Sequence, residues 1–200
     1  MKTHIKIIFV VFAVFFSNHV MAATTITPLA VGIVPPVQFP SDDFTITGFR
    51  LSLLYGHHRN VYGLDVGALG NITDQTFTGL AVSGLFNKTG GQTTILGLQF
   101  AGVANINTNK VSAYGLQVAL MNYQSADSDI VGLQLAAGNH APFTDVFGVQ
   151  AGLYNRAKEV YGLQLGVVNI AENLHGIQIG LINFNNKGLI SVCPILNVGF

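Results

Sequence analysis

From about residue 44 to the end of the chain, bulky apolar residues alternate with small or polar ones. In an extended chain Tyr161, Leu163, Leu165 and Val167 fall on one face, and Gly162, Gln164, Gly166 and Val168 on the other. Tyr114, Leu116, Val118 and Leu120 oppose Gly115, Gln117 and Ala119 in the same way, as Val131, Leu133 and Leu135 oppose Gly132, Gln134 and Ala136. No window carries the 3.6-residue apolar period of a helix, and glycine this frequent would destabilise one. The pattern predicts strands throughout.

The strands repeat. Reference glycines stand at Gly48, Gly63, Gly79, Gly97, Gly115, Gly132, Gly148, Gly162 and Gly176, at intervals of 15, 16, 18, 18, 17, 16, 14 and 14 residues. Polar stretches separate the units, among them Asn71 to Gln75, Asn87 to Gln92, Asn139 to Asp145 and Asn155 to Lys158. Asn, Asp and Gly supply the positive-φ positions of tight hairpins, so these stretches read as turns. Ten strands are predicted, at about 44–56, 60–71, 76–87, 93–106, 110–123, 129–139, 146–155, 159–169, 174–184 and 189–200. Before them, Pro28, Pro35, Pro36 and Pro40 mark residues 24–43 as an extended N-terminal segment.

Composition bears on where the apolar face points. Half of the 200 residues are hydrophobic and 9% are charged, against roughly 25% charged in an ordinary globular domain. Lys2, His4 and Lys6, then the apolar run Ile7 to Phe16 and the small residues near Ala22, make residues 1–23 a cleaved secretory signal peptide. Cys193 is the single cysteine, so no disulfide framework exists. Charges balance and no basic run occurs, which argues against nucleic acid as a partner.

A bulky face turned into hydrocarbon, strands of about ten residues and a narrow inner face of Gly, Ala and Gln predict an antiparallel up-and-down transmembrane β-barrel over residues 44–200, with short turns at both ends. The final stretch ISVCPILNVGF, apolar on alternate positions and ending at Phe200, resembles the membrane-assembly signal of bacterial outer-membrane barrels. The phrases GLQLGVVNIAENLHGIQIGLINF and LSLLYGHHRNVYGLDVGALGN resemble the bacterial surface-repeat family best known from spirochaete outer-surface proteins. That resemblance covers about residues 35 to 200 and implies an outer-membrane location without implying an activity. The middle units, such as Thr78 to Phe86, depart from it by lacking the Gln.

Candidate chemistry is sparse. In a barrel Asp127 and Asp129 would lie one bilayer away from His140 and Asp145, His57 and His58 would share a solvated turn with Arg59, and no catalytic set or metal site is expected. Arg50 and Asp65 are expected to point into the lumen, as an ion pair or as two separately hydrated charges. Gln99, Gln117, Gln134, Gln150, Gln164 and Gln178 would line the same lumen, plugging it or forming a narrow pore. The expected role is that of an outer-membrane surface protein with structural, surface-interaction or minor pore function, no cofactor and no catalysis. Its partners would be outer-membrane lipid, the barrel-assembly machinery and a surface glycolipid or host ligand. Two alternatives stand beside it: a soluble secreted β-solenoid, each repeat one coil, acting as a surface adhesin; and a small-solute porin with a Gln-lined lumen.

Overall fold

The structure is a computed structural model and describes residues 25–200; the expected signal peptide lies outside the described residues. Fifteen strands follow one another: β1 (Ile26–Val34), β2 (Val37–Phe39), β3 (Thr45–Ser52), β4 (Tyr55–Gly67), β5 (Gly70–Ser83), β6 (Phe86–Thr89), β7 (Thr93–Ala101), β8 (Ala104–Asn107), β9 (Val111–Val118), β10 (Met121–Gln124), β11 (Ser128–Leu135), β12 (Gly138–Ala151), β13 (Tyr154–Leu165), β14 (Val168–Asn185) and β15 (Val192–Gly199).

The strands do not form a barrel. β1, β3, β4, β5, β7, β9, β11, β12, β13 and β14 pair in that order, and every pairing is parallel. The chain is a parallel β-solenoid, and each unit that reads as a membrane-crossing hairpin arm is one coil. Parallel neighbours need a long return connection, and here the return is itself a strand on the opposite face. In the coil from Tyr154, residues 154–157 run along the second face and Glu159–Leu165 along the first. Gly166 and Val167 turn the first corner, Val168 starts the next return, and the second corner, from return to first face, falls at Lys158. A strand predicted at 159–169 as one straight span is therefore bent at its middle.

Stacking of identical phrases explains the register. Gly132, Gly148, Gly162 and Gly176 lie in one row, as do Gln134, Gln150, Gln164 and Gln178. Gly148 has φ of +143°, and a Cβ there would run into the carbonyl oxygen of Gly132 on the preceding coil. Only glycine lets the two coils approach that closely.

Both ends are covered. At the N-terminal end, β1 forms the first rung against β3, and the three-residue β2 folds back on it through Pro35 and Pro36. Residues 26–39 thus enter the sheet. At the C-terminal end, β15 reverses and pairs antiparallel with β14. Pro194 interrupts that strand, and Ile195 beside it has φ of +70°. A proline and a short strand at sheet edges hinder further strands from adding.

The apolar core is thin. Ile46, Val61, Phe77, Ile130, Val146, Val160 and Leu174 stack through the interior near the second corner. Ile95, Val111 and buried alanines such as Ala113, Ala157 and Ala171 extend it, and most other interior positions are polar.

Candidate functional site

In the coil of β13, Val160 and Gln164 are buried, whereas Tyr161 is exposed and Leu163 and Leu165 are partly exposed. The same assignment repeats from coil to coil, so this solenoid has an amide-rich interior and an apolar skin.

Two amide columns fill the interior. In the first, Asn71, Asn87, Asn105, Asn122, Asn139, Asn155, Asn169 and Asn183 each sit 0–2% exposed. From Asn71 to Asn169 each side-chain NH2 donates to the side-chain oxygen of the next Asn, at 2.8–3.0 Å, and Asn183 donates to Gly180 O and Cys193 O. The NH2 also donates to a backbone carbonyl at the first corner, for example Asn155 to Leu165 O at 2.8 Å. Asn71, Asn87, Asn139 and Asn155 open stretches that the sequence predicts as positive-φ turns. They are instead strand residues that tie the corner of each coil to its neighbour, and among the described residues Ile195 alone has positive φ without being glycine.

In the second column the donor direction reverses. Asn197 donates to Gln178, Gln178 to Gln164, and so on through Gln150, Gln134 and Gln117 to Gln99, at 2.6–3.0 Å. A buried amide is costly when unpaired, and in-register stacking of identical amides supplies a partner at every rung. All six glutamines are 0–1% exposed. They line no pore, and the porin reading falls with the barrel.

Toward the N-terminus the glutamine row continues through Ala81, Asp65 and Arg50. Arg50 and Asp65 form a bidentate pair, Nε to Oδ1 at 2.7 Å and Nη2 to Oδ2 at 2.6 Å, with side chains 0% and 1% exposed. Nη1 donates to Ile72 O at 2.9 Å and lies 3.3 Å from His58 Nδ1. Nε2 of His58 lies 3.3 Å from Pro40 O, so the ring is the neutral tautomer that carries its proton on Nε2. Burial, and then the Arg50 guanidinium, lower the His58 pKa to about 4. His57 and His58 are not a solvated pair: His57 points outward to Asp74 at 2.8 Å, and His58 points inward. Ala81 interrupts the amide row, and the gap beside Asp65, Asn71 and Gln99 has no room for a water molecule. Gln99 Nε2 and Asn71 Oδ1 find no protein partner there.

The skin is built from the opposite parity. On the first face, one outer row runs Leu80, Leu98, Leu116, Leu133, Val149 and Leu163, in register from coil to coil. A second holds Tyr114, Val131, Phe147, Tyr161 and His175, and a third Val118, Leu135, Ala151, Leu165 and Ile179. No Asp, Glu, Lys or Arg occurs in these rows. Phe147, Tyr161 and His175 stack with ring centroids 4.7 and 4.5 Å apart, so they show their edges to the outside. The apolar surface continues round the first corner through Leu120, Leu153, Val167 and Leu181.

Charge collects at the second corner. Lys158 lies 3.5 Å from Asp127 and 3.8 Å from Asp145, and Lys110 lies 4.0 Å from Asp129. The carboxylates that a barrel would hold a bilayer apart share one edge of the solenoid. The Asp145 pKa is raised by partial burial, an effect the nearby Lys158 opposes. His140 is on the other face, stacked between Tyr123 and Tyr154 at 5.6 and 6.2 Å. Burial and then Arg156 lower its pKa. Among the described residues no three His, Cys, Asp or Glu side chains converge as a metal site would require. A cavity of about 320 Å³ lies at the C-terminal end between Leu174, Asn185, Ile190 and Val198.

No family model, curated protein or solved structure matches the chain. Membership of the spirochaete-type surface-repeat family is therefore unsupported, and the barrel that the resemblance implied is replaced by the solenoid. The barrel-assembly machinery and outer-membrane lipid lose their basis as partners, because parallel coils have no barrel to close or insert. The surface glycolipid or host ligand, expected as a partner of that barrel, loses the same basis. Phe200, expected as the assembly signal, follows β15 as a fully exposed side chain.

Proposed function

We propose that the chain is an exported surface-interaction protein, an adhesive β-solenoid that works by contact and without catalysis. One observation carries this reading: the bulky apolar residues lie outside, in three adjacent rows without a charge, bordered by the acidic row Asp129, Asp145 and Glu159, while the amides lie within. A chain under pressure only to fold would gain by burying leucines such as Leu116 and Leu133, since a buried Leu contributes roughly 1.5–3 kcal/mol. Keeping them on the skin in unbroken rows makes sense where another surface covers them. Contiguous apolar patches beyond roughly 300–600 Å² mark interaction sites. The N-terminal signal-like segment supports export.

Retention of the purified protein on alkyl-coated beads tests this. The double variant Leu116→Lys/Leu133→Lys, with an unchanged β-type circular dichroism spectrum, should be retained at least about tenfold less, given the transfer free energy of two leucines. Equal retention of both proteins would sink the reading.

A further inference from the structure

The apolar face has the size and shape of half an interface. Eleven strands contribute to it, the ten parallel rungs and the antiparallel β15, whose Leu196 and Val198 pair with Ile179 and Ile177. At about 4.8 Å between strands and about 6.8 Å between alternate residues, the face measures roughly 50 by 15 Å, or about 750 Å². A stable protein–protein interface takes about 800 Å² from each partner.

We propose that the occupant of this face is a second copy of the chain, the two solenoids packing face to face as a sandwich of sheets; this rests on the adhesive reading and names its partner. Sheets pack about 10 Å apart when their outward side chains interdigitate, and two copies share the same strand spacing, so the ridges of one match the furrows of the other. A two-fold contact places the same patch on both sides. That is ruinous for a charged patch and harmless for this one, whose rows hold no Asp, Glu, Lys or Arg. The ends offer no competing route. β2 is three residues long and flanked by prolines, and β15 carries Pro194 and the strained Ile195, so strand-to-strand growth is blocked at both edges. Charged residues instead gather at the second corner, where Lys158, Asp127 and Asp145 already satisfy one another.

β9 is the sixth of the eleven strands, so the two-fold axis passes near it and brings Leu116 of each copy close to its mate. Sedimentation of the protein purified after export tests the proposal. The wild type should sediment as a dimer, and Leu116→Lys and Leu116→Glu each as a monomer with the wild-type β spectrum. An equimolar mixture of the two variants should return to a dimer, because opposite charges then meet. Should the charged variants lose the β spectrum, Leu116→Ser must weaken the dimer by at least about tenfold. A dimer indifferent to every Leu116 variant would overturn the assignment of this face. A wild-type monomer that still binds alkyl beads would overturn the second copy as partner and leave the adhesive reading standing. A monomer that ignores the beads would overturn both.

Discussion

The first coils and the last ones fill the same interior row with different chemistry. From Gln117 to Gln178 every rung places one amide on the next, and each has the same partner on either side. At the N-terminal end the row holds Arg50, Asp65 and Ala81, with His58 against the guanidinium. The amide row is neutral, interchangeable and insensitive to pH. The charged end is a single pair that depends on one partner and sits beside a histidine kept neutral. A buried ion pair contributes little net stability yet is costly to break, whereas an amide ladder spreads its cost over many rungs. The difference predicts that the N-terminal coils are the weak end of an otherwise uniform stack, in which each coil is held mainly by its neighbours.

The largest effect should come from cutting the same row at both ends of the molecule. Asp65→Ala strands the Arg50 charge and should cost about 3–5 kcal/mol; Gln150→Ala leaves one buried donor and one acceptor and should cost about 1–3 kcal/mol. Amide hydrogen exchange resolved by coil checks both. Faster exchange over residues 45–67 for the first variant, with residues 159–179 unchanged, keeps the comparison; equal effects would erase it.

Acid should act most strongly on the charged end. In the unfolded chain His58 protonates near 6.5, and in the folded chain near 4. Its folded-state pKa is depressed, so the stability of these coils is full above pH 6.5 and falls as pH drops from there toward 4, by a total on the order of 3 kcal/mol. Denaturant melts between pH 7.5 and 4.5 read this out. His58→Gln should flatten the slope, and a slope unchanged in the variant would assign the acid loss elsewhere.

The smallest effect should come where the two ends meet. Ala81→Gln would offer Gln99 Nε2 a partner and join the amide row to the Asp65 carboxylate, but the gap there has no room for a water molecule, so Phe77 and Thr73 must shift to admit it. The two effects oppose each other, and a net change of about 1 kcal/mol or less in denaturant stability is expected. A loss as large as that of Gln150→Ala would show that the neighbours cannot shift.

The repeat and its alternation were legible in the chain, and so was the placing of Arg50 and Asp65 on the same parity as the glutamines. The coil was not. Intervals of 14–18 residues suit a hairpin arm with its turn as well as a coil with two corners, and asparagines at unit boundaries suit turns as well as ladders. One signal pointed to stacking. The step from Gln to Asn is five residues at Gln117–Asn122, Gln134–Asn139, Gln150–Asn155, Gln164–Asn169 and Gln178–Asn183, while the step from each Asn onward varies from nine to twelve. A hairpin reverses direction and would bring unlike residues together, so a five-residue step kept from Gln117 onward (six at Gln99–Asn105) has a purpose only where like stacks on like. His58 also gave no sign of its burial, because adjacent histidines in a strand point to opposite sides and only the neighbouring coil decides which side is covered.

A two-residue period by itself determines which side chains share a face: Tyr161, Leu163 and Leu165 cannot point the same way as Gln164. It is silent on what each strand pairs with, since parallel and antiparallel neighbours impose the same period. That choice was made in three dimensions, by corners such as Gly166–Val167 that turn the chain after a few residues, and by amide columns that find partners only when identical coils lie in parallel register. The same choice decided what the apolar face is, turning a skin expected to meet lipid into an exposed flat sheet.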